Sequence, residues 1–267
     1  MRLARFRHQG RVHYGIVEGD EVVEIRGGIF GRFETTNTRH KLDSVKLVAP
    51  VQPSQMFGPG LNFADHLGHA AAIMGHSEMP PTPDPWHKGV NAIIGPGDTI
   101  LIPYDSKAGI EHEGECLAVI GKPTRRVTAE EGWERILGYT CGNDVSERTW
   151  QRDDRSFWRA KAADTFSPFG PWIDTEFDPR KGGDMIVRLN GREVQRASVG
   201  NMHFDFGTLV SYISQAVTLR PGDIIWSGTT GEPENMNPGD LVEVEVEGIG
   251  VLRNPVAKER RRRRRTG

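Results

Sequence analysis

The chain has 267 residues, 36% of them hydrophobic, and a formal net charge of −2 at pH 7. That length holds one large domain, or a large domain with a small one beside it. The charge is uneven: residues 258–267, KERRRRRRTG, carry seven positive charges and one negative, so the body is near −8, which argues against nucleic acid as its main partner.

Residues 1–50 read as a small N-terminal β domain. RLARFRH, RVHYGIVEG and EVVEIRG are short, β-branched and punctuated by Gly10 and by Gly19-Asp20. The start, MRLARFRHQG, has no apolar signal-peptide core, and no stretch approaches about 18 apolar residues, so no membrane partner is expected. VAPVQPSQ, 48–55, is expected to be a linker. FADHLGHAAAIMG, 63–75, is Ala-rich and predicted helical. SEMPPTPDPW, 77–86, has four prolines and is predicted to be a loop. It is either a lid or a packed surface loop, with Trp86 and His87 the residues able to reach inward.

IIGPGDTILIP and GIEHEGECLAVIG follow as predicted strands. TAEEGWERILG, 128–138, is a predicted helix, with Thr128 and Glu131 as a capping box and Gly138 as its stop. GPWIDTE, MIVRLNGREVQRA with an Asn190-Gly191 hairpin turn, DIIWSG and DLVEVEVEGIGVLRN read as strands. DFGTLVSYISQAVTL is a helix among them. Strands dominate and come in hairpins, so the fold class is α+β, mainly β, and neither doubly wound nor a TIM barrel. Cys116 and Cys141, the only cysteines, read as buried free thiols and fit a reducing cytoplasm. The arginine run at 258–267 is either a solvated disordered tail or a segment for RNA or anionic lipid.

Within IEHEGECLAVIGK, Glu111, Glu113 and Glu115 occupy every second position and run straight into an apolar strand. On a strand they would share a face, and a buried face of carboxylates needs a cation. Asp144, in the turn-like GND, is the next carboxylate a strand–helix–strand path could bring beside them. Oxygen ligands with no Cys or His favour Mg²⁺, Mn²⁺ or Ca²⁺ over zinc. Alternation alone is weak, because Glu243, Glu245 and Glu247 in DLVEVEVEG alternate in the same way and suit a solvated strand face.

The wider context is more specific. E-x-E before an apolar strand ending IGK, GYT-x-GNDVS-x-R, RAK-x-x-DTF-x-P-x-GPW, SGT, and VEGIGVLRNPV occur in that order. Over about residues 55–256 this resembles the fumarylacetoacetate hydrolase family. The resemblance implies a small N-terminal domain, a mixed β-roll catalytic domain over 51–257, a homodimer, and an Mg²⁺ or Mn²⁺ site. It implies Glu113, Glu115 and Asp144 as metal ligands, Lys161 as an active-site lysine, and Gln151 and Thr229 as substrate contacts. Glu111 lies outside the pattern, as a surface or supporting residue. The implied activity is C–C hydrolysis of an acylpyruvate-like 2-oxo or 1,3-diketo acid through a metal-stabilised enolate. Isomerisation, decarboxylation and hydration are the alternatives.

Two departures stand out. In NFADHLGHAAAIMG, His66 matches a family histidine that acts as base, but the residue three later is His69 where the family's hydrolases carry Glu. A second alignment gives the base role to His69 and a metal contact to Asp65. The loop SGTTGEPENMNPGD also differs from the family's TGTP–AGVG, which bears on substrate identity.

Overall fold

In a computed structural model, residues 1–75 and 78–260 are described. Most of the arginine run, 261–267, and the first residue of the proline-rich stretch lie outside them. The β-branched N-terminal runs form antiparallel strands Arg2–His8, Arg11–Glu18 and Glu21–Gly27. Gly10 and Gly19 turn them with φ of +77° and +63°, a region glycine enters without a Cβ clash. Strand Phe33–Lys41 adds an outer edge and has no buried residue. Its run FETTNTRHK therefore carries no apolar alternation. Lys46–Val48 pairs back on Arg2–His8.

The sheet continues past residue 50. Arg2 and Leu3 pair with Asp174 and Ile173 of strand Ser167–Asp174. Inward from there lie Ile136–Asn143, Gly114–Ile120, Ile224–Trp226, Met56–Pro59 and Pro85–Lys88, in one twelve-stranded sheet. Five further strands, among them Asp184–Leu189, Leu241–Val246 and Gly250–Lys258, form a second sheet. Cys116, Ala118 and Tyr139 of the first sheet share one core with Val187, Val244 and Leu252 of the second. All seven residues of Gly114–Ile120 are buried, which is why CLAVIG is continuously apolar. Cys116 and Cys141 face each other across the ladder as free, buried thiols. The fold is α+β and mainly β, as the hairpin-rich sequence led us to expect.

Several local expectations fail for identifiable reasons. Thr128 and Glu131 do form the capping box, but the helix covers only Ala129–Trp133. Ile136 already begins a strand, and Gly138 lies inside it rather than stopping a helix. A Cβ at Gly138 would stand 2.4 Å from the Asp174 carbonyl oxygen, so close strand packing fixes that glycine. The proline-rich stretch ends early: Pro85 and Trp86 open strand Pro85–Lys88, against Met56–Pro59. As an edge strand it accepts a proline. GIEHEGECLAVIG is two strands, Ile110–Glu111 and Gly114–Ile120, broken at His112 and Glu113. Helices Arg148–Asp153 and Trp158–Ala162 have no counterpart in the sequence reading. At six and five residues they are too short to show a helical period.

Candidate active site

Three carboxylates converge where the two central strands end. The hairpin register sets Gly114 opposite Asn143 and Glu115 opposite Gly142. Beyond it, Glu113 N–H donates to Asn143 Oδ1 at 2.9 Å and Asp144 N–H to the Glu113 carbonyl at 2.8 Å. Glu113, Glu115 and Asp144 are all buried and offer ligand oxygens within 4.8 Å of one another.

Two lysines enter this cluster. Lys161 Nζ donates to Glu113 Oε2 at 2.6 Å and to Asp144 Oδ2 at 2.7 Å. Lys88 Nζ donates to Asp144 Oδ1 and, at 2.7 Å, to the Lys161 carbonyl. The Trp86 ring stands 5.7 Å from the Lys88 ammonium and 5.5 Å from that of Lys161. Burial alone would drive both ammonium groups toward neutrality. For Lys161 the Asp144 and Glu113 charges win and raise its pKa; for Lys88 burial wins and lowers it.

Arg148 is the third cation, buried, with Nη1 donating to Gln151 Oε1 at 2.7 Å. Its Nη2 makes an ion contact of 2.5 Å with Glu113 Oε1, without hydrogen-bond alignment. Burial pushes Glu113 up, but Lys161 and Arg148 hold it well below the ordinary carboxylate range. Glu115 differs. It accepts the Gly228 N–H at 2.8 Å, and burial with Asp144 and Glu113 nearby pushes it well above the ordinary range.

His66 is buried and lines the same pocket. Its Nδ1 lies 2.7 Å from the Gly231 carbonyl. A carbonyl only accepts, so Nδ1 carries the proton and Nε2 the lone pair. Gly231 belongs to the divergent SGTTGEP loop and has φ of +60°.

A family model for the C-terminal domain of fumarylacetoacetate (FAA) hydrolase matches residues 55–257. The chain belongs to the fumarylacetoacetate hydrolase family. Residues 1–50 match a second model, Rv2993c-like N-terminal. The chain is similar to the crystal structure of 5-carboxymethyl-2-hydroxymuconate delta-isomerase from Mycobacterium smegmatis, at 39% identity and a TM-score of 0.89, covering 97% of this chain and 100% of that one. It is also similar to maleylpyruvate hydrolase from Sphingobium sp. SYK-6, solved with manganese(II) and pyruvate, at 26% identity and a TM-score of 0.79, with 97% and 100% covered. The mitochondrial oxaloacetate tautomerase of Xenopus laevis is 32% identical over 80% of this chain and 69% of its own.

The fumarylacetoacetate hydrolase family's enzymes use a divalent metal, and the donor set here fits one. It is all oxygen, as hard cations require. Among the described residues Glu115 accepts only a backbone hydrogen bond and none from a lysine, so it is the carboxylate a cation would relieve. Asp65 is exposed and outside the convergent set. His69 is half-buried and absent from the pocket lining; its Nε2 lies 3.1 Å from Glu111 Oε2. Gln151 and Thr229 both line the pocket. The Thr229 hydroxyl donates to the Gly114 carbonyl at 3.1 Å and accepts from Gln195 Nε2 at 2.6 Å. His87 is exposed and absent from the pocket lining, its ring tilted 44° against Phe57 with centroids 4.3 Å apart.

Sequence reasoning missed Lys88, Arg148 and Gln195 as part of this cluster. Arg148 closes the GNDVS-x-R motif and was legible there. Lys88 follows a proline run and carries no such signal.

Proposed function

We propose that this protein hydrolyses a carbon–carbon bond in a short acylpyruvate-like 2-oxo or 1,3-diketo acid, using Mg²⁺ or Mn²⁺ held by Glu113, Glu115 and Asp144. The observation that carries the proposal is a pocket of two chemistries. One part is the carboxylate cluster with Arg148, Lys161 and His66; the other is Leu61, Ala70, Ile73, Trp86 and Phe157. Among the described lining residues this apolar part adds no cation of its own for a second carboxylate, so it suits an uncharged acyl tail.

When bound, the cation supplies Lewis acidity toward adjacent substrate oxygens. The protein's own groups do the rest. His66, with Nδ1–H committed to Gly231, takes a proton from water at Nε2. The water oxygen bonds to the distal carbonyl carbon, the carbon–carbon bond breaks, and its electron pair passes to the departing three-carbon acid. Lys161 and Arg148 offset the charge that develops there. Returning the proton completes a carboxylic acid and pyruvate.

A second reading is tautomerisation or isomerisation. His66 leans on a backbone carbonyl, which stabilises an imidazolium less than a carboxylate does. A base that removes and returns a carbon-bound proton needs no water attack. The names of the isomerase and tautomerase relatives agree with it. The family resemblance extends the proposal to a cytoplasmic homodimer, which light scattering on the purified protein checks for size.

The test uses EDTA-stripped protein with and without Mg²⁺ or Mn²⁺, against an acylpyruvate, oxaloacetate and a 2-hydroxydienoate. Metal-dependent cleavage of the acylpyruvate, lost in Glu115→Ala, is the expected result. Enol–keto exchange of oxaloacetate without cleavage would replace the hydrolase reading with the tautomerase one.

A further inference from the structure

Helix Leu67–Met74 lacks a carboxylate one turn after His66, but a strand delivers one to that turn. Glu111 Oε2 accepts from His69 Nε2 at 3.1 Å and from Arg148 Nε at 2.5 Å. The Glu111 side chain is 13% exposed. Its backbone is fixed twice over. Its N–H donates to the Ser146 carbonyl at 2.8 Å and its carbonyl accepts from Ser146 N–H at 3.1 Å. The strand Ile110–Glu111 also pairs with Asn235 and Met236. The carboxylate is therefore held independently of the helix it touches.

Its two donors lead to different parts of the pocket. His69 sits against His66, with ring centroids 5.2 Å apart. Arg148 leads to Gln151 and Glu113. An exposed ion pair would contribute little, but this oxygen is shared between two donors at low exposure, and losing it strips the Arg148 guanidinium of a buried partner.

We propose that Glu111 is a positioning residue. One strand-borne oxygen keeps His69 in its Nε2–H form and holds Arg148, so the segment bearing His66 and the carboxylate cluster keep one spacing. Its catalytic consequence rests on the reading of His66 as base; its structural content does not.

The test is nitrogen-15 NMR of the histidine rings in the full chain, which separates the two tautomers, beside steady-state kinetics. In the native protein His69 is expected as the Nε2–H tautomer and His66 as Nδ1–H. Glu111→Ala is expected to turn His69 into a tautomer mixture and to move the His66 resonances. Glu111→Gln, which keeps an acceptor for His69, restores most of the native pattern. With a turned-over substrate, Glu111→Ala lowers kcat by about tenfold with little change in KM. It costs much less when added to His69→Ala. If Glu111→Ala fails to fold, His69→Ala alone reports through the His66 resonances. A native ring pattern in Glu111→Ala, or unmoved His66 resonances in either variant, overturns the proposal. The expected ring changes in a protein that turns over nothing sink the functional reading and leave the positioning role standing.

Discussion

The chain contains two acidic alternations, and they meet opposite fates. Glu243, Glu245 and Glu247 sit in and after strand Leu241–Val246, which alternates buried valine with half-exposed glutamate. Glu243, itself only 14% exposed, pairs with the exposed Arg253, and Glu245 pairs with the partly exposed Arg188, both on the second sheet. Glu111, Glu113 and Glu115 straddle a break between two strands, and the last two are buried. In the first series Glu243 and Glu245 each meet an arginine of their own, and the exposed Glu247 accepts the Asp184 N–H at 3.2 Å. The second is gathered around shared cations, with Glu115 held by a backbone N–H rather than by a lysine or arginine hydrogen bond among the described residues. Periodicity is common to both; what differs is whether the strand faces solvent or core, and where it breaks.

The largest expected effect breaks the buried series. Glu115→Gln should abolish stoichiometric Mn²⁺ binding by calorimetry and lower turnover by more than ~100-fold. Retained binding would remove Glu115 from the ligand set. Next, Lys88→Met leaves Asp144 short of a buried partner. It should cost roughly 3 kcal/mol in chemical denaturation without metal, and less with Mn²⁺ saturating. A smaller effect concerns pH. Burial, outweighing the pull of Glu113, lowers His66 below its ordinary 6.5. A base must be neutral, so kcat/KM should be full above that value and fall only as pH drops through the lowered one. An activity limb rising well above pH 6.5 would point to another base. The smallest effect belongs to the exposed series: Glu245→Ala should change stability by no more than about 0.5 kcal/mol and leave Mn²⁺ affinity unmoved.

How much of this was legible follows from the same contrast. Short strands such as Arg11–Glu18 announce themselves by β-branched residues between glycine turns, and Gly114–Ile120 by its apolar run. Asn190-Gly191 gives the hairpin turn directly, with φ of +53° and +81°. Phe33–Lys41 carries no apolar face and gives no signal. The short helices bearing Arg148, Gln151 and Lys161 are set by what they pack against, not by period. At the site, the carboxylates were readable through motif order. Lys88 was not, because a lone lysine after prolines looks like surface until the strand Pro85–Lys88 turns it inward. Glu111 was readable only as a residue outside the metal pattern, since its partners His69 and Arg148 stand 42 and 37 residues away.

The pairing of Arg2 and Leu3 with Asp174 and Ile173 also bears on how the chain is made. The nascent meander leaves the ribosome long before its neighbour, which trails by about 170 residues. At typical translation speeds that interval is on the order of 10–30 s. Throughout it, one end of the first strand offers unpaired backbone to any passing chain. Arg2, Arg5 and Arg7, spaced along that strand, give it like charge during the wait and discourage pairing with a second nascent copy.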